Sequence, residues 1–225
     1  MIPWELLDTR PTPDGHGELT LHRRDQEYSI RIDRKELMNS RQHGSEEALA
    51  TLAKAALTGL QSPRILVGGL GMGFTLRAAL ASFPAGSSIE VAELMSAVVE
   101  WNQGPLGHLT AHPLRDPRVT LRVGDICELI STCQDHYDAI LLDVDNGPDG
   151  LTQSSNQWLY GRDGLAHIRT TLRKKGVLAV WSASDDTAFS KRLAAARFKA
   201  KTHKVRARPN NKGARHTIWL AIREH

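Results

Sequence analysis

The chain has 225 residues, 40% of them hydrophobic and 24% charged, which is enough for one domain with a substantial core and tight for two. No run of about 18 apolar residues suggests a membrane span, and Met1-Ile2-Pro3-Trp4-Glu5 lacks the basic-then-apolar order of a secretory leader, so a cytoplasmic protein is expected. Net charge is +4, and two cysteines, Cys127 and Cys133, make neither a disulfide framework nor, without Cys/His neighbours, a zinc site; no metal is expected.

Glu18-Leu19-Thr20-Leu21-His22 and Tyr28-Ser29-Ile30-Arg31-Ile32 alternate apolar and polar residues on either side of a polar turn, the signature of a β-hairpin. A helix follows from about Ser45 to Leu57, with Ser45 as its cap and Leu49, Leu52, Ala53 and Ala56 on one face. These features divide the chain into a small N-terminal cap, 1–44, and a main domain, 45–225. In the main domain strands at 64–68, 88–92, 118–123, 137–142 and 176–181 alternate with helices at 74–83, 95–103, 126–132, 155–172 and 186–196. That alternation predicts a parallel sheet covered on both faces. Two last strands, near 202–207 and 216–222, are joined by Pro209-Asn210-Asn211-Lys212-Gly213, too short for a crossover helix, and should close the sheet as an antiparallel hairpin. The expected fold class is thus α/β: a Rossmann-like, mostly parallel seven-stranded sheet with a C-terminal antiparallel hairpin and an N-terminal β-hairpin cap.

The run Ile65-Leu66-Val67-Gly68-Gly69-Leu70-Gly71-Met72-Gly73-Phe74 reads as a buried strand, a glycine turn and a helix start. Glycines there let a nucleotide approach the main chain, and the helix N-terminus offers free N–H groups. A dinucleotide fingerprint needs a third Gly or Ala where Phe74 or Leu76 stands, and a phosphate-binding Walker loop needs a Lys that 65–76 lacks. What remains is GxGxG at Gly69, Gly71 and Gly73, the turn of proteins that bind S-adenosylmethionine.

Ligands of an open parallel sheet sit at the carboxyl ends of its strands, and acids occupy three of those ends. Glu93 follows Ile89-Glu90-Val91-Ala92, placed to accept the two ribose hydroxyls. Asp125 follows Val123-Gly124, placed for an adenine amine or for capping the next helix. Asp143 follows Ala139-Ile140-Leu141-Leu142 and opens the acid-rich stretch Val144-Asp145-Asn146-Gly147-Pro148. A carboxylate there would attract a cationic amine and remove its proton, with Asp145 raising its pKa by repulsion.

This ordered set resembles the S-adenosylmethionine-dependent methyltransferase fold and, within it, the spermidine synthase (polyamine aminopropyltransferase) family. Three features carry the likeness: the Gly68-Gly69 pair with apolar Val67 in place of the acid most methyltransferases carry, the phrase Tyr137-Asp138-Ala139-Ile140-Leu141-Leu142-Asp143, and the hairpin cap. The resemblance implies that Gly69, Gly71 and Gly73 border the donor, Glu93 holds its ribose, Asp125 with Ile126 its adenine, and Asp143, aided by Asp145, faces the reacting centre. It implies S-adenosylmethionine or its decarboxylated form as donor, a small-molecule acceptor, and pairing into a homodimer. The family's Tyr-His-Glu motif stands here as Ser45-Glu46-Glu47, and its second loop acid is displaced to Asp145 or replaced by Asn146. The acceptor therefore stays open, as does the choice between aminopropyl and methyl transfer. Candidate acceptor-pocket residues are Asn146, His43, where cap meets main domain, and Trp158 beyond the Asp143 loop; Trp181 reads as core. A different class also fits: a non-catalytic protein of this fold contacting RNA through the ten Lys and Arg between Lys191 and Arg215, unless these form a solvated face.

Overall fold

The computed structural model describes residues 2–13, 15–144 and 158–224. Four antiparallel strands, β1 (Glu5–Pro11), β2 (Glu18–Arg24), β3 (Glu27–Ile32) and β4 (Lys35–Asn39), form an N-terminal sheet in that order. The expected hairpin is β2–β3, with Leu19 opposite Ile32 and Leu21 opposite Ile30. It is widened by β1 and β4, whose exposed and half-buried side chains carry no clean alternation. Helix α1 (Gly44–Ala56) then turns its Leu49, Ala50 and Ala53 into the core. Its N-cap is His43, which makes no side-chain cap bond, so Ser45 lies inside the helix rather than capping it.

The main sheet has seven strands: β5 (Arg64–Gly68), β6 (Ser88–Glu93), β7 (Val119–Val123), β8 (Tyr137–Leu142), β9 (Leu172–Ser182), β10 (Lys199–Arg206) and β11 (Arg215–Ile222). Their order is β10-β11-β9-β8-β5-β6-β7. The pairs among β5 to β9 are parallel, and β11 runs antiparallel to both β9 and β10, as the short 209–213 connection requires. Helices α2 (Phe74–Ser82), α3 (Ser96–Gln103), α4 (Ile126–Thr132), α5 (Arg162–Thr171) and α6 (Thr187–Ala195) connect these strands. The helix expected over 155–172 is described from Arg162, and it gives way at Leu172 to a β9 that starts four residues before the expected strand.

Apolar runs without alternation suit strands buried on both faces. In β5, Ile65 and Val67 enter one cluster with the N-terminal sheet, α1, α2 and α3, whereas Leu66 enters a second with α4, α5 and α6. Each such fully buried aliphatic stabilises the fold by about 1.5–3 kcal/mol. The first cluster takes in Leu19, Leu21, Tyr28 and Ile30, so the small sheet shares the core of the main one. Its edge is fixed further by Trp101, whose indole N–H donates to Asp8 at 2.8 Å, and by an Arg10–Glu100 ion pair at 3.0 Å.

Parallel register levels the carboxyl ends: Gly68 pairs with Ala92 and with Leu142, and Glu93 with Val123. After β5 the chain moves outward to β6 and β7, then returns to β8 on the other side of β5. The connections leaving β5 and β8 therefore diverge, which opens a crevice between them.

Candidate active site

The glycine turn sits at the mouth of that crevice. Gly69, Gly71 and Gly73 take φ of +88°, +51° and +84°, a region that side chains with a Cβ rarely enter. At Gly69 a Cβ would overlap the Asp143 carbonyl oxygen, so this glycine also lets the two loops approach. The turn ends where α2 begins, at Phe74, and its Gly71 carbonyl is held by the Asn102 amide at 2.8 Å.

Glu93 closes one side. It is 8% exposed, and each carboxylate oxygen accepts one main-chain N–H, from Leu70 and from Met95, both at 2.8 Å. Burial raises its pKa, and those N–H donors pull it back down. Glu93 borders the smaller of the two cavities described below, as a carboxylate able to accept from hydroxyl groups. Asp125 lies opposite, at the N-cap of α4, where its Oδ1 accepts from the Cys127 N–H at 2.8 Å. Capping and lining coexist: Asp125 and Ile126 border a cavity of about 100 Å³ together with Gly69, Gly71, Glu93 and Asp143. Burial, followed by the adjacent Asp125, pushes the Cys127 thiol up to about 12, so it supplies no nucleophile at neutral pH.

Asp143 follows β8, its N–H donating to the Gly68 carbonyl at 2.9 Å. Burial pushes its carboxyl up to about 6, against the opposing effect of a 2.6 Å hydrogen bond from the Thr75 hydroxyl in the first turn of α2. A second acid in its field comes from α1. Asp145 and Asn146 lie outside the described residues, whereas Glu46 of α1 is held well above the carboxylate range by burial, then by repulsion from Asp143 and Glu47, with Arg77 opposing. Like charges so placed favour one proton shared by the pair. Asp143, with its carboxyl at about 6, is ionised above that pH, and Glu46 is held toward its protonated form beside it.

A second cavity, of about 270 Å³, adjoins the first. It is lined by Glu36, Asn39 and Gln42 from the N-terminal side, Glu46 from α1, and Trp181 and His216 from β9 and β11. Leu37, Met38, Gly71 and Asp143 line both cavities, and Asp143 is the ionisable residue the two share among the described residues. Trp181, read from sequence as core, is a wall of this cavity; its ring meets that of His216 edge to face at 4.9 Å.

His43 and Trp158 are placed elsewhere. His43 stacks on Phe74 at 4.3 Å and pairs with Glu47 at 2.8 Å, and Trp158 packs on the second core cluster with its ring 5.3 Å from that of His167. Neither borders the two cavities. Sequence reading also passed over Thr75, Met38 and His216; of these only Thr75, second residue of the helix after the glycine turn, stood beside a recognisable motif. Among the described residues no group of three or more His, Cys, Asp or Glu is arranged to hold a metal, and no helix is long and apolar enough to cross a membrane. The basic run maps to α6 and the edge strand β10, where Lys199, Lys204 and Arg192 pair with Glu224, Asp185 and Asp186. Lysines on an edge strand oppose pairing with a second sheet, which gives them a structural use.

Comparison with known proteins bears on this geometry. The spermine/spermidine synthase domain family matches residues 42–205. A polyamine aminopropyltransferase of Korarchaeum cryptofilum is 29% identical over 133 residues, covering 59% of this chain and 39% of that protein. A putrescine N-methyltransferase 2 of Nicotiana tabacum is 31% identical over 122 residues, covering 54% of this chain and 33% of the relative. The chain thus aligns with well under half the length of these relatives. Among solved structures, spermidine synthase from Thermotoga maritima superposes with a TM-score of 0.77 at 15% identity, over 97% of this chain and 72% of that one. A spermidine synthase in complex with the transition state analogue AdoDATO gives 0.76 at 14% identity, with the same coverage. These likenesses bear out the Rossmann-like methyltransferase fold.

Proposed function

The chain belongs to the spermine/spermidine synthase family, and from that premise we propose that it is a transferase that moves an alkyl group from an adenosyl sulfonium donor to a small amine. The observation that carries this reading is the meeting of the two cavities at Asp143. The smaller one, with Gly69, Gly71, Glu93, Asp125 and Ile126, suits the donor: glycine main chain against the amino acid portion, Glu93 on the ribose hydroxyls, Asp125 and Ile126 at the adenine; Gly73, expected beside them, faces Asn102, Thr110 and Pro113 instead. The larger one, with three carboxylates, suits a cationic amine. We take residues 1–44 as a cap over the donor-binding domain 45–225, since β4 supplies one wall of each cavity.

A sulfonium carbon is already activated, so the protein's task is alignment and deprotonation. Ionised Asp143 draws the protonated amine in and accepts its proton. The freed nitrogen lone pair forms a bond to the sulfonium carbon, the carbon–sulfur bond breaks, and its electron pair stays on sulfur in a neutral thioether. We place Asp143 as that base and Glu46 as its proton-holding neighbour.

With decarboxylated S-adenosylmethionine the reaction would be aminopropyl transfer, leaving methylthioadenosine; with S-adenosylmethionine it would be methyl transfer, leaving S-adenosylhomocysteine. We favour the first on family grounds. The second has its own support in the putrescine N-methyltransferase relatives, which match at 31% identity. Supplying both donors in parallel with 1,4-diaminobutane and 4-aminobutan-1-ol and weighing the nucleoside product by mass spectrometry tests the reading. Methylthioadenosine is expected; S-adenosylhomocysteine alone would move the assignment to methyl transfer, and neither product would defeat the transferase reading.

A further inference from the structure

The acceptor cavity has one end that its carboxylates do not explain. Ser45 of α1 is 0% exposed, and its Oγ accepts the Trp181 Nε1–H at 3.0 Å and lies 2.8 Å from Nδ1 of His216. An indole N–H only donates, so it occupies one lone pair of the hydroxyl and leaves the hydroxyl proton in need of an acceptor. Among the described residues Nδ1 of His216, at 2.8 Å, is the acceptor within reach. The imidazole is therefore held with Nδ1 bare and Nε2 protonated. An imidazolium would present Ser45 with a second N–H and strand the hydroxyl proton; burial depresses the His216 pKa in the same sense.

His216 borders the cavity, and among the described residues its Nε2–H has no protein acceptor. Among the described residues no Lys or Arg lines this cavity, and its charged groups are Glu46, Asp143 and Glu36, of which Glu36 accepts from Ser29 at 3.0 Å and from Asn39 at 2.7 Å. A chain of donors running Trp181 to Ser45 to His216 thus ends in a neutral N–H on a ring that lines this cavity. We propose that the His216 Nε2–H is a recognition donor, and that the acceptor carries, besides its reacting amine, a neutral hydrogen-bond acceptor such as a hydroxyl: an amino alcohol rather than a symmetrical diamine. A second ammonium would set donor against donor there. The identification of the ligand as acceptor rests on the transferase reading, while the recognition itself is a matter of binding.

Binding therefore tests it without turnover. Calorimetry of the full chain saturated with methylthioadenosine, repeated with S-adenosylhomocysteine, compares 4-aminobutan-1-ol with 1,4-diaminobutane. We expect the amino alcohol to bind about fivefold tighter or better, the worth of one net hydrogen bond. His216→Gln, whose amide N–H replaces Nε2–H, should keep the preference, and His216→Leu should abolish it. Nitrogen-15 spectra of histidine-labelled protein should show His216 neutral and Nε2-protonated at pH 7, with the tautomer preference lost in Ser45→Ala. Tighter or equal binding of the diamine, binding of neither ligand, or a preference that survives His216→Leu overturns the proposal. Should His216→Leu fail to fold, the wild-type tautomer and the His216→Gln preference decide it: an Nδ1-protonated ring, or loss of preference in His216→Gln, overturns it. Failure to consume either donor would count against the transferase reading alone.

Discussion

The two cavities that meet at Asp143 are built in different ways. On the proposed reading, the donor side is made at the ends of parallel strands: the turn after β5, Glu93 at the end of β6, Asp125 after β7, Asp143 after β8. Register with β5 levels β6 and β8, and register with β6 levels β7. The acceptor side is assembled from β4, α1, β9 and β11, with Ser45 and His216 hydrogen-bonded across 171 positions of sequence. A site fixed by register tolerates little change of spacing, whereas one assembled from distant elements can change its ligand by single side chains while the fold stays the same. That contrast places the durable chemistry with the donor and the variable chemistry with the acceptor.

Breaking the shared point should have the largest effect. Asp143→Asn is expected to lower kcat by about 10²- to 10⁴-fold, the range for loss of a general base, with donor affinity by calorimetry nearly intact. Full turnover with normal donor binding would remove Asp143 from its role. Glu93→Ala should act on the donor side alone, weakening donor binding by about 10- to 100-fold through lost charged hydrogen bonds while leaving binding of an amine unchanged. An equal loss on both sides would mean that the cavities are one site.

Glu46→Gln sharpens the comparison through pH. Its carboxyl sits well above the ordinary 4.5, so the folded state keeps a proton that the unfolded chain releases. Stability contributed by this group is then full at low pH and declines as pH rises above about 4.5. Glu46→Gln should consequently raise the melting temperature at pH 8 relative to wild type and leave it nearly unchanged at pH 4, while the acidic limb of the kcat profile, expected near pH 6 from the burial of Asp143, stays in place. The smallest change is Thr75→Val. Removing the donor that lowers the Asp143 pKa should shift the same limb toward higher pH with little effect on either affinity, read from the pH dependence of kcat.

The same contrast explains what could be read in advance. Strand β5, the start of α2 at Phe74 and the acids after β6, β7 and β8 were legible because buried strands, glycine turns and polar strand ends each leave a local signature. The hairpin β2–β3 was legible for the same reason, but β1 and β4 were not: their pattern of exposed and half-buried residues has no period. Ser45 looked like a cap because a hydroxyl before an amphipathic run usually is one; here the helix starts a residue earlier, and burial redirects the hydroxyl to Trp181 and His216. His43 fitted a pocket by its place in the chain, yet Phe74 and Glu47 occupy both its ring face and its Nδ1. Glu46 entered only as part of an altered motif, since its partner Asp143 is 97 positions away and no local pattern links them.

Strand β4 pairs with β3 alone, and its Leu37 and Met38 face both cavities. A party wall of this kind makes the two occupancies interdependent. If seating the donor draws β4 inward, the amine meets a remodelled chamber, and by thermodynamic reciprocity the amine must then alter the donor's affinity by the same factor. Met38→Ala is then expected to change that factor without touching a charged group, read as the difference in donor affinity with and without the amine.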